Sequence, residues 1–391
     1  MQSITYEIMH MEKNVAWIST TGVAEIQCEN FMPYDLYLEP DETDDIDVRM
    51  NNLANFYHWC ASRMLTLDRQ YAKAIFNSIG VSQATTDQDR ARVTLSYHCV
   101  SLTDVYWVRE HGENITFAEV NLYDHSLNDA VVAISLKGRQ MTVTNQELAQ
   151  DISTGGCFPK AWIREQTDEN SFGINSFDIN GFDIAASQTR KLQSVDNSRF
   201  YLLKDGGETV VRRELLASKI CRCFAIPQVL YEPYIFENQT VTKSAIFTSK
   251  DYSIVTKMAF DIYAANYDLD TLQVCHSLDP VGYYGMNILD YLVGNTDRHV
   301  ENWGFLIDNR TNKYVSLHPL MDFNQSFLSY DTLDGANCLT VLPERMTQRE
   351  AAIDAVRHIG LRQIGEVDMA WFGNMEEEEQ MFRMRLEELK L

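Results

Sequence analysis

The stretch Gly285–Phe323 has the sequence GMNILDYLVGNTDRHVENWGFLIDNRTNKYVSLHPLMDF, and it decides the order of the elements around it. Its first part predicts a helix that ends at Gly294, because apolar residues recur at helical spacing: Met286, Ile288, Leu289, Leu292 and Val293. The polar segment 295–302 then predicts a loop. Two short strands, Trp303–Ile307 and Tyr314–Leu317, are predicted next, and they lead to Asp322.

Three polar residues of this stretch have the spacing that phosphoryl transfer requires. One carboxylate must orient the attacking hydroxyl, and oxygen ligands must hold Mg²⁺. Asp297 has the place of the first group, while Asn302 and Asp322 have the places of the metal ligands. Two other interpretations stay open: turn residues of a solvated loop, or a metal hydrolase using Asp297, His299 and His318, although no H-E-x-x-H spacing is present.

The motif G-N-T-D-R-H-x-x-N, followed by x-D-F, resembles the HipA-like kinases, whose fold is related to protein kinases and phosphatidylinositol kinases. The resemblance implies that Asp297 is catalytic and that Asn302 and Asp322 bind the metal. Asn-Thr-Asp stands where ordinary eukaryotic kinases have His-Arg-Asp, which is usual in the HipA-like branch. Asp-Phe-Asn replaces Asp-Phe-Gly, which argues against regulation by a flipping Asp-Phe-Gly segment.

Composition limits the partners of the chain. The 391 residues carry a net charge of −23, and 45% of them are hydrophobic, so a large core is expected. The acidic excess is spread along the chain without a basic arm, which disfavours direct binding to nucleic acid or to an anionic membrane. Bound ATP would therefore depend on a few local cations.

The cysteines and the N-terminal residues bear on location. The eight cysteines are scattered without a C-x-x-C pair, as in a reduced cytoplasmic protein. The first residues lack the pattern of a signal peptide, and no apolar segment has the length of a membrane span. The sequence therefore predicts a cytoplasmic protein.

A small-residue loop near residue 151 is the candidate phosphate loop. Glycines allow close approach of backbone N–H groups to phosphates. The segment resembles the S-x-x-G-x-x-x-K loop of HipA-like kinases at Ser153, Gly156 and Lys160, and we assign ATP binding to Thr154, Gly155, Gly156 and Lys160. Ser153 also aligns with the serine that these kinases phosphorylate on themselves, so Ser153 or Thr154 is the candidate autophosphorylation site. The alternative is that Ser153 caps a turn.

Lys204 and Glu214 are the next candidate ATP-site residues. Arg199–Lys204 predicts a strand, and Arg212–Phe224 predicts a helix. The position of Lys204 matches the phosphate-pairing lysine of kinases. Glu214 is expected either to pair with Lys204 or only to complement the helix dipole. The long segment 166–198 between the candidate loop and this strand predicts a flexible insertion, and the alternative is a short hairpin that caps the cleft.

Two more strands, Val229–Phe236 and Tyr252–Lys257, are predicted for the small lobe. The expected hinge between the lobes follows, and backbone groups near Lys257, Met258 and Ala259 are the candidates for holding adenine. In the N-terminal part, 48–77 predicts one helix. No motif there carries chemistry, and its aromatic residues are predicted to be core: Phe56, Trp59, Tyr106 and Trp107.

These patterns together predict an α+β, two-lobed protein kinase-like fold of the HipA-like type, with an N-terminal extension packed on the small lobe. The expected divisions are 1–140 for the extension, 141–257 for the small lobe and 258–391 for the helical large lobe. The expected activity is transfer of the γ-phosphate of ATP, with Mg²⁺, to Ser or Thr of a protein, with autophosphorylation. The alternatives are a nucleotide-binding pseudokinase in a toxin–antitoxin pair, with an antitoxin-like partner, and a small-molecule kinase.

Overall fold

The computed structural model describes residues 3–40, 44–64, 70, 72–78, 84–124, 157–166, 198–328, 332–341 and 345–390. Within these residues the strands form three antiparallel sheets, one in the N-terminal extension and one in each lobe. The predicted loop at 151–156, with Ser153, Thr154, Gly155 and Gly156, lies outside the described residues. So does the predicted insertion 166–198, except for its two end residues.

The N-terminal extension is built on a four-stranded sheet in the order β3-β2-β1-β4. Its strands are β1 (Thr5–His10), β2 (Lys13–Ser19), β3 (Ala24–Ile26) and β4 (Tyr106–Glu110), and its helices are α1 (Ile46–Ser62), α2 (Ala72–Ser78), α3 (Asp87–Leu95) and α4 (Phe117–Val120). Ile8 and Met9 enter different apolar clusters, because successive side chains of a strand point to opposite faces. The four predicted core aromatics, Phe56, Trp59, Tyr106 and Trp107, are buried, as the sequence predicted.

The single helix predicted over 48–77 is divided in the structure. Helix α1 ends at Ser62, and Arg63 follows it. The Arg63 guanidinium makes two 2.8 Å hydrogen bonds to the Asp104 carboxylate and also donates to the Cys99 carbonyl oxygen. This buried ion pair holds Arg63 at the end of α1, a long-range contact that helical spacing does not reveal.

In its described part, the small lobe has a sheet in the strand order β5-β6-β8-β7, with a helix after β6. The strands are β5 (Lys160–Gln166), β6 (Ser198–Lys204), β7 (Tyr231–Phe236) and β8 (Gln239–Ala245), and the helix is α5 (Glu208–Cys221). β7 and β8 form a hairpin through Glu237 and Asn238, which both have positive φ, at 47° and 67°. Two successive left-handed residues are typical of a two-residue hairpin turn.

The large lobe holds a three-stranded sheet in the order β11-β10-β9, made of β9 (Tyr252–Thr256), β10 (Gly304–Asp308) and β11 (Lys313–Leu317). β9 therefore pairs with the hairpin of the large lobe, whereas the sequence assigned this segment to the small lobe. The helices of this lobe are α6 (Lys257–Asn266), α7 (Thr271–Leu278), α8 (Pro280–Val293), α9 (Gln348–Ile359) and α10 (Glu376–Leu389). Among the described helices, none is both long and apolar enough to cross a membrane.

Helix α8 is the centre of the largest apolar cluster. It begins at Asp279, whose carboxylate accepts hydrogen bonds from the N–H groups of Gly282 (2.8 Å) and Leu317 (3.1 Å), so the helix start is tied to the end of β11. At Gly285, a Cβ would lie 2.8 Å from the Ile226 side chain, so only glycine allows this close approach. The helix ends at Gly294 in the left-handed conformation (φ 61°), as the sequence predicted.

The N-terminal extension is attached to the large lobe at the turn of the β10–β11 hairpin. Asn312, buried in this turn, accepts a hydrogen bond from the Tyr106 hydroxyl on its side-chain oxygen (3.0 Å). Its carbonyl oxygen accepts one from the Tyr34 hydroxyl (2.8 Å), and its amide nitrogen donates to the Met32 carbonyl (3.0 Å). The extension thus holds the end of the hairpin opposite to the predicted catalytic loop.

This contact predicts a loss of stability in Asn312→Ala. The substitution removes the side-chain hydrogen bonds and places alanine at a φ of 53°, so the free energy of unfolding should fall by about 2 kcal/mol. Urea denaturation measures the change. Asn266→Ala, at an exposed position on α6, is the matched control and should change the free energy by less than about 0.5 kcal/mol. Equal losses in the two variants would contradict the role of Asn312.

Candidate active site

The candidate catalytic loop follows α8 and is held by the buried carboxylate of Asp290. Arg298 approaches this carboxylate with two nitrogen atoms, at 2.8 and 2.9 Å, and Asn295 donates to it at 2.9 Å. The Arg298 and Asp290 side chains are only 3% and 6% exposed. A paired planar contact of this kind fixes both the position and the orientation of the loop.

Arg298 also connects the two segments that carry the predicted metal ligands. Its remaining N–H groups donate to the carbonyl oxygens of Asn302 (3.0 Å) and Met321. Its guanidinium lies 5.2 Å from the centre of the Phe323 ring. Asn302 and Asp322 are therefore placed by one buried cation, although they are 20 residues apart in the sequence.

Asp297 is partly open to solvent, unlike Arg298 and Asn302 of the same loop, which are buried. Its side chain is 45% exposed, and the nearest His299 nitrogen lies 4.0 Å from the carboxylate. Its backbone carbonyl accepts a 2.8 Å hydrogen bond from the Asn302 side-chain amide. Partial burial raises the pKa of Asp297, and the negative charge of Asp322 raises this pKa further. The Asp297 and Asp322 carboxylates are therefore close enough to interact electrostatically.

Lys204 lies between two carboxylates at the end of β6. Its ammonium nitrogen contacts Glu214 of α5 at 3.3 Å and makes a short contact with Asp322 of the large lobe. Glu214 also accepts a 2.8 Å hydrogen bond from the Thr242 hydroxyl. Glu214 was expected either to pair with Lys204 or only to complement the helix dipole, and in the structure it pairs with Lys204. The lysine joins the two lobes at this point.

The charges at this cluster are strongly coupled. Burial alone would raise the pKa of Asp322, but the cations Lys204 and Lys160 hold it well below its usual range. Burial would lower the pKa of Lys204, and the charges of Asp322 and Glu214 reverse this effect, so that its pKa is raised. The cluster is therefore an ionised Lys204–Asp322 pair at neutral pH.

Lys160 lies directly opposite Lys204 in the antiparallel pair of β5 and β6. Side chains of directly opposite residues project from the same face of a sheet. Lys160 is thus on the side of Lys204, and its charge acts on Asp322. The other residues of the candidate phosphate loop, Thr154, Gly155 and Gly156, and the candidate autophosphorylation site Ser153, lie outside the described residues.

The structure gives the predicted adenine-binding segment other contacts. The N–H groups of Lys257 and Met258 donate to the carbonyl oxygens of Trp303 (2.8 Å) and Val300 (3.0 Å). The Ala259 N–H donates to the Thr256 hydroxyl (3.2 Å), which caps α6. These three N–H groups belong to the first turn of α6 and already have acceptors in the protein, and the adenine assignment stays a prediction. The connection between the lobes is the segment 246–251, which joins β8 to β9.

The metal hydrolase alternative does not agree with the position of His318. This side chain is 3% exposed, and one ring nitrogen lies 2.8 Å from the Pro319 carbonyl oxygen. Within the described part of the chain, no three His, Cys, Asp or Glu side chains are grouped as metal ligands. The set of Asp297, His299 and His318 is therefore not a metal centre.

Sequence reasoning missed Asp290 and Arg298, which position the site, and Tyr231, which touches Asp322. A signal existed for Asp290. It is an acid in the last turn of an apolar helix, where the helix dipole disfavours negative charge, so it requires a partner. No sequence signal marks Tyr231, because its contact with Asp322 joins residues of the two lobes.

These elements define a two-lobed α+β kinase-like protein with an N-terminal extension. The structure is similar to HipA of Shewanella oneidensis MR-1, solved in a complex with HipB and operator DNA, with a TM-score of 0.54, 9% identity and coverage of 98% of this chain and 96% of that one. The HipA-like fold predicted from the motifs is thereby confirmed. The Helicobacter pylori proinflammatory kinase CtkA also matches, with a TM-score of 0.39, 17% identity and coverage of 49% of this chain and 85% of that chain. The sequence matched no family model and no curated protein.

The raised pKa of Asp297 predicts that Asp297→Asn stabilises the protein at neutral pH. A raised folded-state pKa contributes stability that is present below the unfolded value and is lost as the pH rises through the folded value. Ionised Asp297 is then a cost at pH 7.5 that asparagine removes. Thermal unfolding measured from about pH 4 to pH 7.5 should show an advantage of the variant that grows as Asp297 ionises and is fully present at pH 7.5. Glu301→Gln, an exposed carboxylate of the same loop, is the control. A melting temperature of Asp297→Asn no higher than that of the wild type at pH 7.5 would contradict the prediction.

Proposed function

We propose that this protein is a kinase that uses ATP and Mg²⁺ to phosphorylate Ser or Thr of a protein substrate. The observation that supports this proposal is the position of Lys204, which contacts Glu214 of its own lobe and Asp322 of the other. Asp297 is electrostatically coupled to the same pair. A lysine, an open carboxylate and a second carboxylate in one interlobe space are the groups that phosphoryl transfer uses.

Asp297 is proposed to orient the acceptor hydroxyl and to take its proton as the oxygen attacks the γ-phosphorus, while the bond from the γ-phosphorus to the bridging oxygen breaks and ADP leaves. The half-exposed side chain leaves room for a substrate residue. Its raised pKa makes it a stronger base than an ordinary aspartate while it stays ionised at neutral pH. Most of the rate enhancement would come from alignment and from charge stabilisation.

Asn302 and Asp322 are proposed to hold Mg²⁺, and their chemistry fits this ion. The Asn302 amide nitrogen donates to the Asp297 carbonyl, while its oxygen accepts no hydrogen bond from the described part of the chain. Asp322 is held ionised by Lys204 and Lys160. Hard oxygen ligands, one of them charged, suit Mg²⁺, which would neutralise phosphate charge when bound. Lys204 would then exchange its contact with Asp322 for a phosphate oxygen.

The phosphates are proposed to lie against Lys204, Lys160 and the loop with Thr154, Gly155 and Gly156. Lys204 and Lys160 are local cations in a chain of net charge −23, so they are well placed to attract an anionic ligand. Autophosphorylation at Ser153 or Thr154 belongs to the proposal on the resemblance of the loop alone. Peptide mass spectrometry of 151–164 after incubation with Mg·ATP, in wild type and Asp297→Ala, tests it.

A nucleotide-binding pseudokinase and a small-molecule kinase are the alternatives. The ionised Lys204–Asp322 pair and the open Asp297 favour an active enzyme, because three of the groups that transfer uses lie near one another in the described part of the chain. The similar HipA structure contains HipB, and we propose an antitoxin-like partner for this chain by analogy. A cytoplasmic location is proposed from the scattered cysteines.

The proposed roles predict different effects of substituting Asp322 and Asp297. Asp322→Ala should abolish the Mg²⁺-dependent protection by ATP in a thermal-shift assay, because it removes the charged metal ligand. Asp297→Asn should keep that protection but reduce transfer of labelled phosphate by about 100-fold or more, since its interaction forms mainly in the transition state.

Asp268→Asn is the matched control, because Asp268 is exposed and has a φ of 51°, which asparagine tolerates. It should leave both protection and transfer at the wild-type level. Unchanged protection in Asp322→Ala would show that the metal assignment is wrong. Equal loss of protection and transfer in Asp297→Asn would show that Asp297 is a metal ligand or a structural residue.

A further inference from the structure

Asp322 has a backbone conformation that needs external support. Its φ is 60°, in the left-handed region that residues with a Cβ seldom adopt. Its N–H group donates a 2.9 Å hydrogen bond to the hydroxyl oxygen of Tyr231, a residue of the small lobe. The preceding carbonyl, that of Met321, accepts from Arg298 of the large lobe. The small lobe thus holds the N–H group of Asp322, and the large lobe holds the carbonyl group that precedes it.

Tyr231 is itself fixed relative to Asp322 by the chain segment before it. The Val229 N–H donates to the Leu320 carbonyl (2.8 Å), and the Leu320 N–H donates to the Pro227 carbonyl (3.0 Å). This pairing places the start of β7 alongside the segment that leads to Asp322. The hydroxyl contact therefore continues a backbone contact and is not an isolated surface interaction.

Tyr231 is also connected to helix α5, which carries Glu214. The Tyr231 N–H donates to the hydroxyl of Ser218 at 3.1 Å, and Ser218 lies one turn after Glu214 in the helix. Two routes therefore run from α5 to Asp322. One passes from Glu214 through Lys204 to the carboxylate, and the other passes from Ser218 through Tyr231 to the backbone N–H.

We propose that Tyr231 is a positioning residue that couples helix α5 to the backbone of Asp322 and so holds this residue in its metal-binding conformation. The inference rests on the proposed function for the role of Asp322. Burial and the charges of Glu214 and Asp322 raise the pKa of Tyr231, so its hydroxyl stays protonated and neutral over the working pH range. A neutral hydroxyl can accept from the Asp322 N–H without adding charge to the site.

Tyr231→Phe tests this role because it removes only the hydroxyl group. Tyr234→Phe is the matched control: Tyr234 lies on the same strand, and its hydroxyl makes no hydrogen bond within the described residues. Hydrogen exchange followed by mass spectrometry should show peptides that contain Asp322 exchanging roughly three- to tenfold faster in Tyr231→Phe only. Exchange in β10 and β11 should be unchanged. Equal exchange in Tyr231→Phe and wild type would overturn the inference, whatever the activity of the protein.

The kinetic test separates positioning from catalysis. Tyr231→Phe should raise the Mg²⁺ concentration for half-maximal ATP turnover about tenfold, the effect typical of losing a group that orients a metal ligand. The rate at saturating Mg²⁺ should stay within about twofold of the wild type, because the chemical step is untouched. A reduced saturating rate with unchanged Mg²⁺ dependence would overturn the inference. If the wild-type protein shows no Mg²⁺-dependent binding of ATP, the proposed function is overturned, and so is the metal role of Tyr231. The hydrogen-exchange result would still report whether Tyr231 holds the backbone of Asp322.

Ser218→Ala tests the link to α5. Ser218 is 1% exposed and accepts the Tyr231 N–H, so its loss should accelerate exchange at Asp322 in the same direction as Tyr231→Phe but to a smaller extent. A Ser218→Ala protein that exchanges like the wild type at Asp322 would overturn the coupling to the helix.

Discussion

The buried pair of Arg298 and Asp290 is the interaction on which the geometry of the site depends. The guanidinium is bound on one side by the carboxylate and donates on the other to the Asn302 and Met321 carbonyl oxygens. Removing one partner of such a pair leaves a charge without compensation and costs about 3–5 kcal/mol. The same loss would separate the loop that carries Asp297 from the segment that carries Asp322. Stability and site geometry are therefore linked through one side chain.

A second constraint is the balance of charge between the lobes. Lys204 contacts two carboxylates that come from different lobes, and Arg298 is already compensated by Asp290. Asp297 remains half exposed, and partial burial together with the negative charge of Asp322 raises its pKa. The charged groups of the site are thus anionic on the large-lobe side, at Asp297 and Asp322, and cationic on the small-lobe side, at Lys204 and Lys160. A bound anion would be attracted by the lysines, and a cation bound together with it would be attracted by the carboxylates.

The local signals predicted the order of elements in the large lobe, because each of them acts over a few residues. Gly294 ends α8 in the left-handed conformation, and the hairpin follows the polar loop. Long-range pairing was not predictable in the same way. β8 has the polar sequence QTVTKSA, and its contacts join residues far apart in the chain, such as Lys243 with the Tyr201 ring and with the Glu165 carboxylate.

The pairing of β9 with β10 was hidden from the sequence for a related reason. Tyr252–Thr256 has the composition of any buried strand, and nothing in it distinguishes pairing with β8 from pairing with β10. The assignment of adenine contacts to Lys257, Met258 and Ala259 depended on that choice. The hydrogen bond between Tyr231 and Asp322 could not be predicted from the sequence either, because it depends on the relative position of the two lobes. Residue types thus indicated the chemistry of the site, and only the fold indicated what holds it.

The N-terminal extension contacts the edge of the large-lobe sheet. It therefore has a structural role in a chain whose candidate site lies elsewhere. The Ile254 N–H of β9 donates to the Thr103 carbonyl (2.9 Å), so an extension residue covers the free edge of that strand. The Lys250 ammonium of the interlobe segment contacts Asp124 at 2.8 Å, and Ile246 packs against the extension's core. Together with the contact of Asn312 at the hairpin turn, these interactions hold the interlobe segment and the β10–β11 hairpin against one body. Because the hairpin leads to the loop with Asp297 at one end and to Asp322 at the other, the extension supports the positions of both segments.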